Sequence, residues 1–175
     1  MFEFLKTIIT FLNSNNIPYM LSGSVAMSVY VLPRATRDFD FIINLSIEKI
    51  PLFIENFKGD YYCDETAVRD AVKRKSIFNI IDHQSGYKAD FVLLKNTAYR
   101  QEEFGRRIST DLFGLPLYIV SAEDLLISKL IWIQELHSEL QKEDIRNLAA
   151  LKTLDWNYIH KWINEMKINT FDLIK

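Results

Sequence analysis

Two aspartates separated by one phenylalanine, in Asp38-Phe39-Asp40-Phe41, are the residues of this 175-residue chain best placed to do chemistry. On an extended backbone, residues two apart project to the same side, so both carboxylates face one place while Phe39 and Phe41 enter an opposite, apolar side. Their Cα atoms would stand roughly 7 Å apart, near enough for the side chains to converge on one or two hard cations. Adjacent negative charges on so hydrophobic a strand need a cation opposite them, either a metal or an arginine. Arg34 and Arg37 serve the second case, in which Asp38 is neutralised and Asp40 points to water.

Two other places bear on that choice. Gly23-Ser24 lies where a short strand, Tyr19 to Ser22, gives way to a helical segment carrying Val25, Ala26, Val29 and Tyr30 and stopped before Pro33. A glycine there lets a phosphate approach the backbone, and free N–H groups at the helix start bind anionic oxygens, although Gly-Ser is also an ordinary turn. Asp90 sits inside the apolar run Tyr87 to Leu94. If that strand lies beside Phe39 to Ile43, Asp90 completes a three-carboxylate site of the kind used in two-metal phosphoryl or nucleotidyl transfer. The alternative is an ion pair with Lys88 or Arg100 at a strand end.

The elements that must position these groups follow from periodicity. Phe2, Leu5, Ile8, Ile9 and Leu12 mark a helix that ends at Asn13 to Asn16 before Pro18. Ile47 to Phe57 and Ala67 to Lys75 read as amphipathic helices. Ser76 to Asp82 and Tyr87 to Leu94 form a hairpin around Gln84, Ser85 and Gly86, and a second hairpin turns at Gly114. From Ser121, which with Asp124 resembles a capping box, the spacing predicts a long helix to about Gln141. Helices at about Glu143 to Thr153 and Asn157 to Met166 follow. Mixed strands and helices first, then helices alone, predict an α+β fold with a C-terminal helical bundle, and no internal repeat interrupts that order.

Within the last part, Lys129 interrupts an apolar stripe of Leu125, Leu126, Ile133 and Leu136 and so needs a partner or a cavity. Asp144 on the next helix supplies one. A snorkelling lysine or a structural ion pair accounts for the same pattern. Arg34 and Arg37 could grip triphosphate oxygens or an RNA backbone as readily as they could line a solvated loop. His83, His137 and His160 lack metal-ligand spacing, and Trp132, Trp156 and Trp162 fall at helical positions that suit a core.

Composition narrows the class. Half the chain is apolar, a quarter is charged and the net charge is −2, so a nucleic-acid contact would need a local basic patch. Cys63 is the only cysteine, which fits a reducing compartment and leaves no thiolate cage for zinc. The apolar start from Met1 to Leu12 is broken by Glu3 and Lys6 and does not read as a signal peptide; no run is long enough to span a bilayer, so the expectation is a cytoplasmic protein without a membrane partner.

Gly23-Ser24, thirteen residues, then Asp38-Phe39-Asp40-Phe41 and a later strand aspartate, Asp90, together resemble the signature of polymerase-beta-type nucleotidyltransferases. The stretch Ser22 to Ile43, with Pro33-Arg34-Ala35-Thr36-Arg37, is similar to bacterial members related to the AbiEii-type toxins of toxin-antitoxin systems and to small domains of the same kind. Ser22 departs from the apolar residue or glycine usual before the Gly-Ser pair. The resemblance implies a mixed sheet flanked by helices as catalytic domain over residues 1–120, with a helical segment over 121–175 packed on it. It implies Mg2+ at Asp38, Asp40 and Asp90, with Asp90 helping to activate the incoming hydroxyl, and triphosphate at Gly23 and Ser24. It places Lys129 on a phosphate, oriented by Asp144. An NTP is the implied co-substrate, tRNA or a protein the acceptor, and a cognate antitoxin or toxin the protein partner. A non-catalytic binding module of the same fold and a small-molecule, antibiotic-modifying nucleotidyltransferase are the rivals.

Overall fold

In the computed structural model, which describes residues 1–112 and 114–174, the strands read from the sequence join in one mixed sheet. Lys175, the last residue of the expected helical segment, lies outside the described residues. The strands are β1 (Tyr19–Ser22), β2 (Asp38–Ile43), β3 (Tyr61–Tyr62), β4 (Ile77–Asp82), β5 (Lys88–Leu93), β6 (Ile108–Leu112) and β7 (Leu115–Ile119), in the order β3-β4-β5-β2-β1-β7-β6. The two expected hairpins are present as the antiparallel pairs β4–β5 and β6–β7. At the centre β2 runs parallel to β5 and antiparallel to β1.

Strand alternation divides this centre into two faces. One carries Phe39, Phe41, Ala89 and Phe91, all buried. Phe91 stacks between Phe41 and Phe78, with centroids 5.2 and 5.1 Å away, and Phe53 meets both Phe78 and Phe91 edge-on at 5.4 Å. Phe53 belongs to α3 (Ile50–Phe57), and α1 (Phe2–Ser14) adds Phe4 and Phe11 to the same aromatic cluster. Rings at these separations anchor the sheet from one side. That frees the other face of β2 and β5 for polar groups.

The carboxylate-bearing face is closed by helices from both ends of the chain. α2 (Gly23–Met27) follows β1 at once and gives way to a turn, shorter than the segment expected up to Pro33. The Ser28 hydroxyl donates to the Val25 carbonyl, as short polar side chains do where they compete with helical bonding. α6 (Ala122–Ile133) is capped by Ser121, whose Oγ accepts from Asp124 N, and α8 (Trp156–Met166) by Asp155. The expected helix to Gln141 ends instead at Ile133, and α7 (Glu139–Ala149) starts four residues before the expected Glu143. Ser138 is the reason: its Oγ accepts from Gln141 N, a new cap that divides the run in two.

α4 (Glu65–Arg74) begins two residues early because Asp64 caps it by accepting from Ala67 N. β3 and α5 (Ala98–Gly105) were not legible in the sequence.

Candidate active site

β2 and β5 are in register as parallel neighbours, with Asp38 beside Lys88 and Asp40 beside Asp90. Alternation keeps all four on one face, so the strands present a two-by-two array of three carboxylates and one ammonium. Asp90, some fifty residues from Asp40 in sequence, is thereby brought directly beside it. β1 pairs Ser22 with Asp40, and the chain then turns through Gly23, whose φ is +62°. A Cβ at Gly23 would collide with the Asp40 carboxylate. Glycine is required there twice over, for its backbone conformation and for the close approach.

The helices add a second layer. Lys129 of α6 places Nζ 2.7 Å from Asp144 Oδ2 of α7 and 3.3 Å from Gln141 Oε1. Arg34, in the loop before β2, donates to the same carboxylate through Nε at 3.2 Å and Nη2 at 3.1 Å. Its Nη2 also donates to Ser24 Oγ at 2.5 Å. Asp144 thus gathers two cations and ties the glycine turn to the C-terminal helices.

Arg34 is committed to Asp144 and Ser24, so it does not neutralise Asp38. Arg37 is exposed, and its side chain pairs with no described residue of this cluster; its backbone carbonyl accepts from Lys88 N. Arg100 pairs with Glu103 rather than Asp90.

A family model described as a nucleotidyltransferase of unknown function (DUF6036) matches residues 1–173. The chain belongs to that nucleotidyltransferase family. No curated protein sequence matches it. Among solved structures, the antibiotic-resistance factor ANT(2'')-Ia superposes with a TM-score of 0.59 at 11% identity, over 93% of this chain and 89% of that one. The lincosamide antibiotic adenylyltransferase LnuA, with lincomycin bound, superposes at 0.56 with 15% identity, over 83% and 94% respectively. At such identities the likeness establishes the α+β nucleotidyltransferase fold.

The charges of this nucleotidyltransferase are unevenly matched. Burial raises the pKa of Asp40, and the neighbouring charges of Asp90 and Asp38 raise it further against the weaker pull of Lys129 and Lys88. The Asp40 carboxylate accepts no hydrogen bond from any described residue. At Asp144 burial acts in the same direction, but the hydrogen bonds from Arg34 and Lys129 outweigh it and hold the pKa below the usual carboxylate value. Lys88 Nζ lies 2.8 Å from Asp90 Oδ2 and 3.9 Å from Asp38 Oδ1. Its pKa is raised, chiefly by the hydrogen bond to Asp90.

With Lys88 between them, the carboxylates do not form a closed cage: among the described residues no three His, Cys, Asp or Glu side chains are gathered as a ready-made metal site. The donor set nevertheless suits a hard divalent cation. It offers oxygen ligands from adjacent strands, and an Asp40 whose charge is disfavoured until a cation arrives.

Lys88 pairs with Asp90 at 2.8 Å, as one reading of the sequence had it, and is also a member of the array. Two apolar residues lie elsewhere than expected. Trp132, expected in the core, is 57% exposed one helical turn beyond Lys129. Leu136, expected on the Lys129 stripe, lies past the end of α6 and is also exposed. Trp162 is buried, as its spacing suggested.

Proposed function

We propose that this protein transfers a nucleoside monophosphate from an NTP to an acceptor hydroxyl, which forms a bond to the α-phosphorus as pyrophosphate leaves, with the array on β2 and β5 as its catalytic centre. The observation that carries this reading is the adjacency of Asp40 and Asp90 at the mouth of the Gly23 turn. Asp38, Asp40 and Asp90 are the residues to hold Mg2+, which when bound would neutralise charge on the phosphate oxygens and on the attacking and leaving groups. The backbone at Gly23 and the hydroxyl of Ser24 receive the triphosphate, close enough to Asp40 that a larger residue could not stand there.

Lys129, held by Asp144, and Arg34, held by Asp144 and Ser24, present positive charge on the phosphate side of the cleft. Arg37, exposed at the start of β2, is free to add a further contact. Asp90 accepts the proton of the incoming hydroxyl, the remaining step that needs a basic oxygen. In this reading residues 1–120 form the catalytic domain, and 121–175 close one side of its cleft.

The acceptor is a hydroxyl of tRNA or of a protein, in a toxin-antitoxin setting, on the strength of the sequence likeness to AbiEii-type toxins. A small-molecule acceptor is the second reading, favoured by the fold shared with an antibiotic-resistance factor and a lincosamide antibiotic adenylyltransferase. Each α-labelled NTP incubated with Mg2+ and, in separate reactions, tRNA, protein, an aminoglycoside and a lincosamide distinguishes them by which acceptor carries label. Label on any one, lost with Asp40→Asn, supports nucleotidyl transfer. Failure of the wild type to bind any NTP with Mg2+ in isothermal titration would refute it.

A further inference from the structure

Lys88 has no role in the reading above, yet it occupies one corner of the array that does the binding. Strand alternation dictates this position: residue 88 must share a face with Asp90, and the parallel register sets it beside Asp38. Its ammonium bonds one carboxylate and lies within ion-pair distance of the other. These are two of the three acids assigned to the metal.

A lysine merely stabilising the fold would be a poor choice here. The side chain is 35% exposed, and an ion pair so open to water contributes little to stability. Its effect falls on whatever else seeks the same oxygens. A positive charge a few ångströms from a divalent ion repels it, and the Asp90 oxygen that accepts from Lys88 is engaged until the ammonium moves.

We propose that Lys88 is a resident counter-cation, which competes with divalent metal for Asp90 and Asp38 and so makes metal entry depend on nucleotide. Metal alone meets a site already part-neutralised. Metal arriving on a triphosphate brings anionic oxygens that accept the displaced ammonium, so the penalty Lys88 imposes on the bare ion is partly returned. This inference rests on the assignment of Asp38, Asp40 and Asp90 as metal ligands, and its test separates the two.

Free Mn2+ is followed by electron paramagnetic resonance while it is titrated into the full-length wild type, Lys88→Met and Lys88→Arg. Each is also titrated with Asp40→Asn added, and circular dichroism confirms that every variant is folded. Without nucleotide, Lys88→Met binds Mn2+ about tenfold more tightly than wild type, whereas Lys88→Arg stays within about twofold. Adding Asp40→Asn removes the gain. With a non-hydrolysable NTP present, the difference between Lys88→Met and wild type shrinks. Lys88→Met binding bare Mn2+ no better than wild type would overturn the role of Lys88, even with Mn2+ and nucleotide still binding wild type and not Asp40→Asn. Mn2+ and nucleotide binding Asp40→Asn as well as wild type would instead remove the site assignment itself.

Discussion

Asp40 is a half-buried carboxylate and Asp124 a fully buried one, and they are treated in opposite ways. Asp124, 0% exposed at the start of α6, accepts from Ser121 Oγ at 2.7 Å, Arg106 Nε at 3.1 Å and Tyr158 OH at 2.7 Å. Its charge is matched and its oxygens are saturated, and through Arg106 and Tyr158 it ties the end of α5 to α8. The Asp40 carboxylate has like charges beside it and no hydrogen-bond donor among the described residues. A saturated buried carboxylate is part of the scaffold, whereas one left short of partners marks where a ligand belongs.

Mutation should separate the two sharply. Asp40→Asn is expected to lower nucleotidyl transfer by at least about a hundredfold, measured as label incorporated per folded molecule. Asp124→Asn should leave that rate within a few fold. An equal loss from both would mean that the distinction between scaffold and site fails.

On stability the order reverses. Asp124→Ala removes the shared acceptor of three donors and should cost about 3 kcal/mol in urea denaturation. Asp144→Ala should cost a similar amount, because it removes the carboxylate that Lys129, only 7% exposed, shares with Arg34. Asp40→Asn should stabilise the protein by about 1 kcal/mol, as replacements at strained functional positions do. Loss of stability in Asp40→Asn would show that its charge is needed by the fold.

The same contrast has a pH signature. The folded-state pKa of Asp40 lies above its unfolded value, so between the two the native protein binds the proton more tightly. Stability therefore falls as pH rises from about 4 through the raised pKa and then levels, and Asp40→Asn should lack that fall. Asp144 runs the other way: its lowered pKa gives stability that is present above about 4 and lost on further acidification. Denaturation curves of wild type and the two single variants between pH 3 and 7 would resolve both slopes. The smallest effect expected is that of Ser24→Ala, a few-fold rise in the KM for NTP, since the neighbouring backbone donors remain.

How much of this was legible beforehand depended on whether a residue's role was encoded locally. The faces of β2 and β5 were readable, because alternation of Asp with Phe and of Asp90 with Ala89 and Phe91 has period two wherever the strands end up. Lys129 and Asp144 were readable as a pair because a charge in an apolar helical stripe demands a partner. α5 was not, since its buried side includes Glu103, which besides the local Arg100 needs Ser128, a partner that emerges only with the fold. The division at Ser138 turned on one capping hydroxyl, which the continuing pattern concealed. Lys88 was visible as a possible partner of Asp90, but its place beside Asp38 depends on strand register.

On the proposed function, Asp38, Asp40 and Asp90 converge on a divalent cation that a nucleotide brings. Crystals grown with Mn2+ and a non-hydrolysable NTP, measured at a wavelength where manganese scatters anomalously, test it most directly. The account expects an anomalous peak within coordination distance of Asp40 and Asp38, the phosphates over Gly23 and Ser24, and Lys88 withdrawn from Asp90. Bound nucleotide with its manganese away from these carboxylates, and Lys88 still on Asp90, would contradict it.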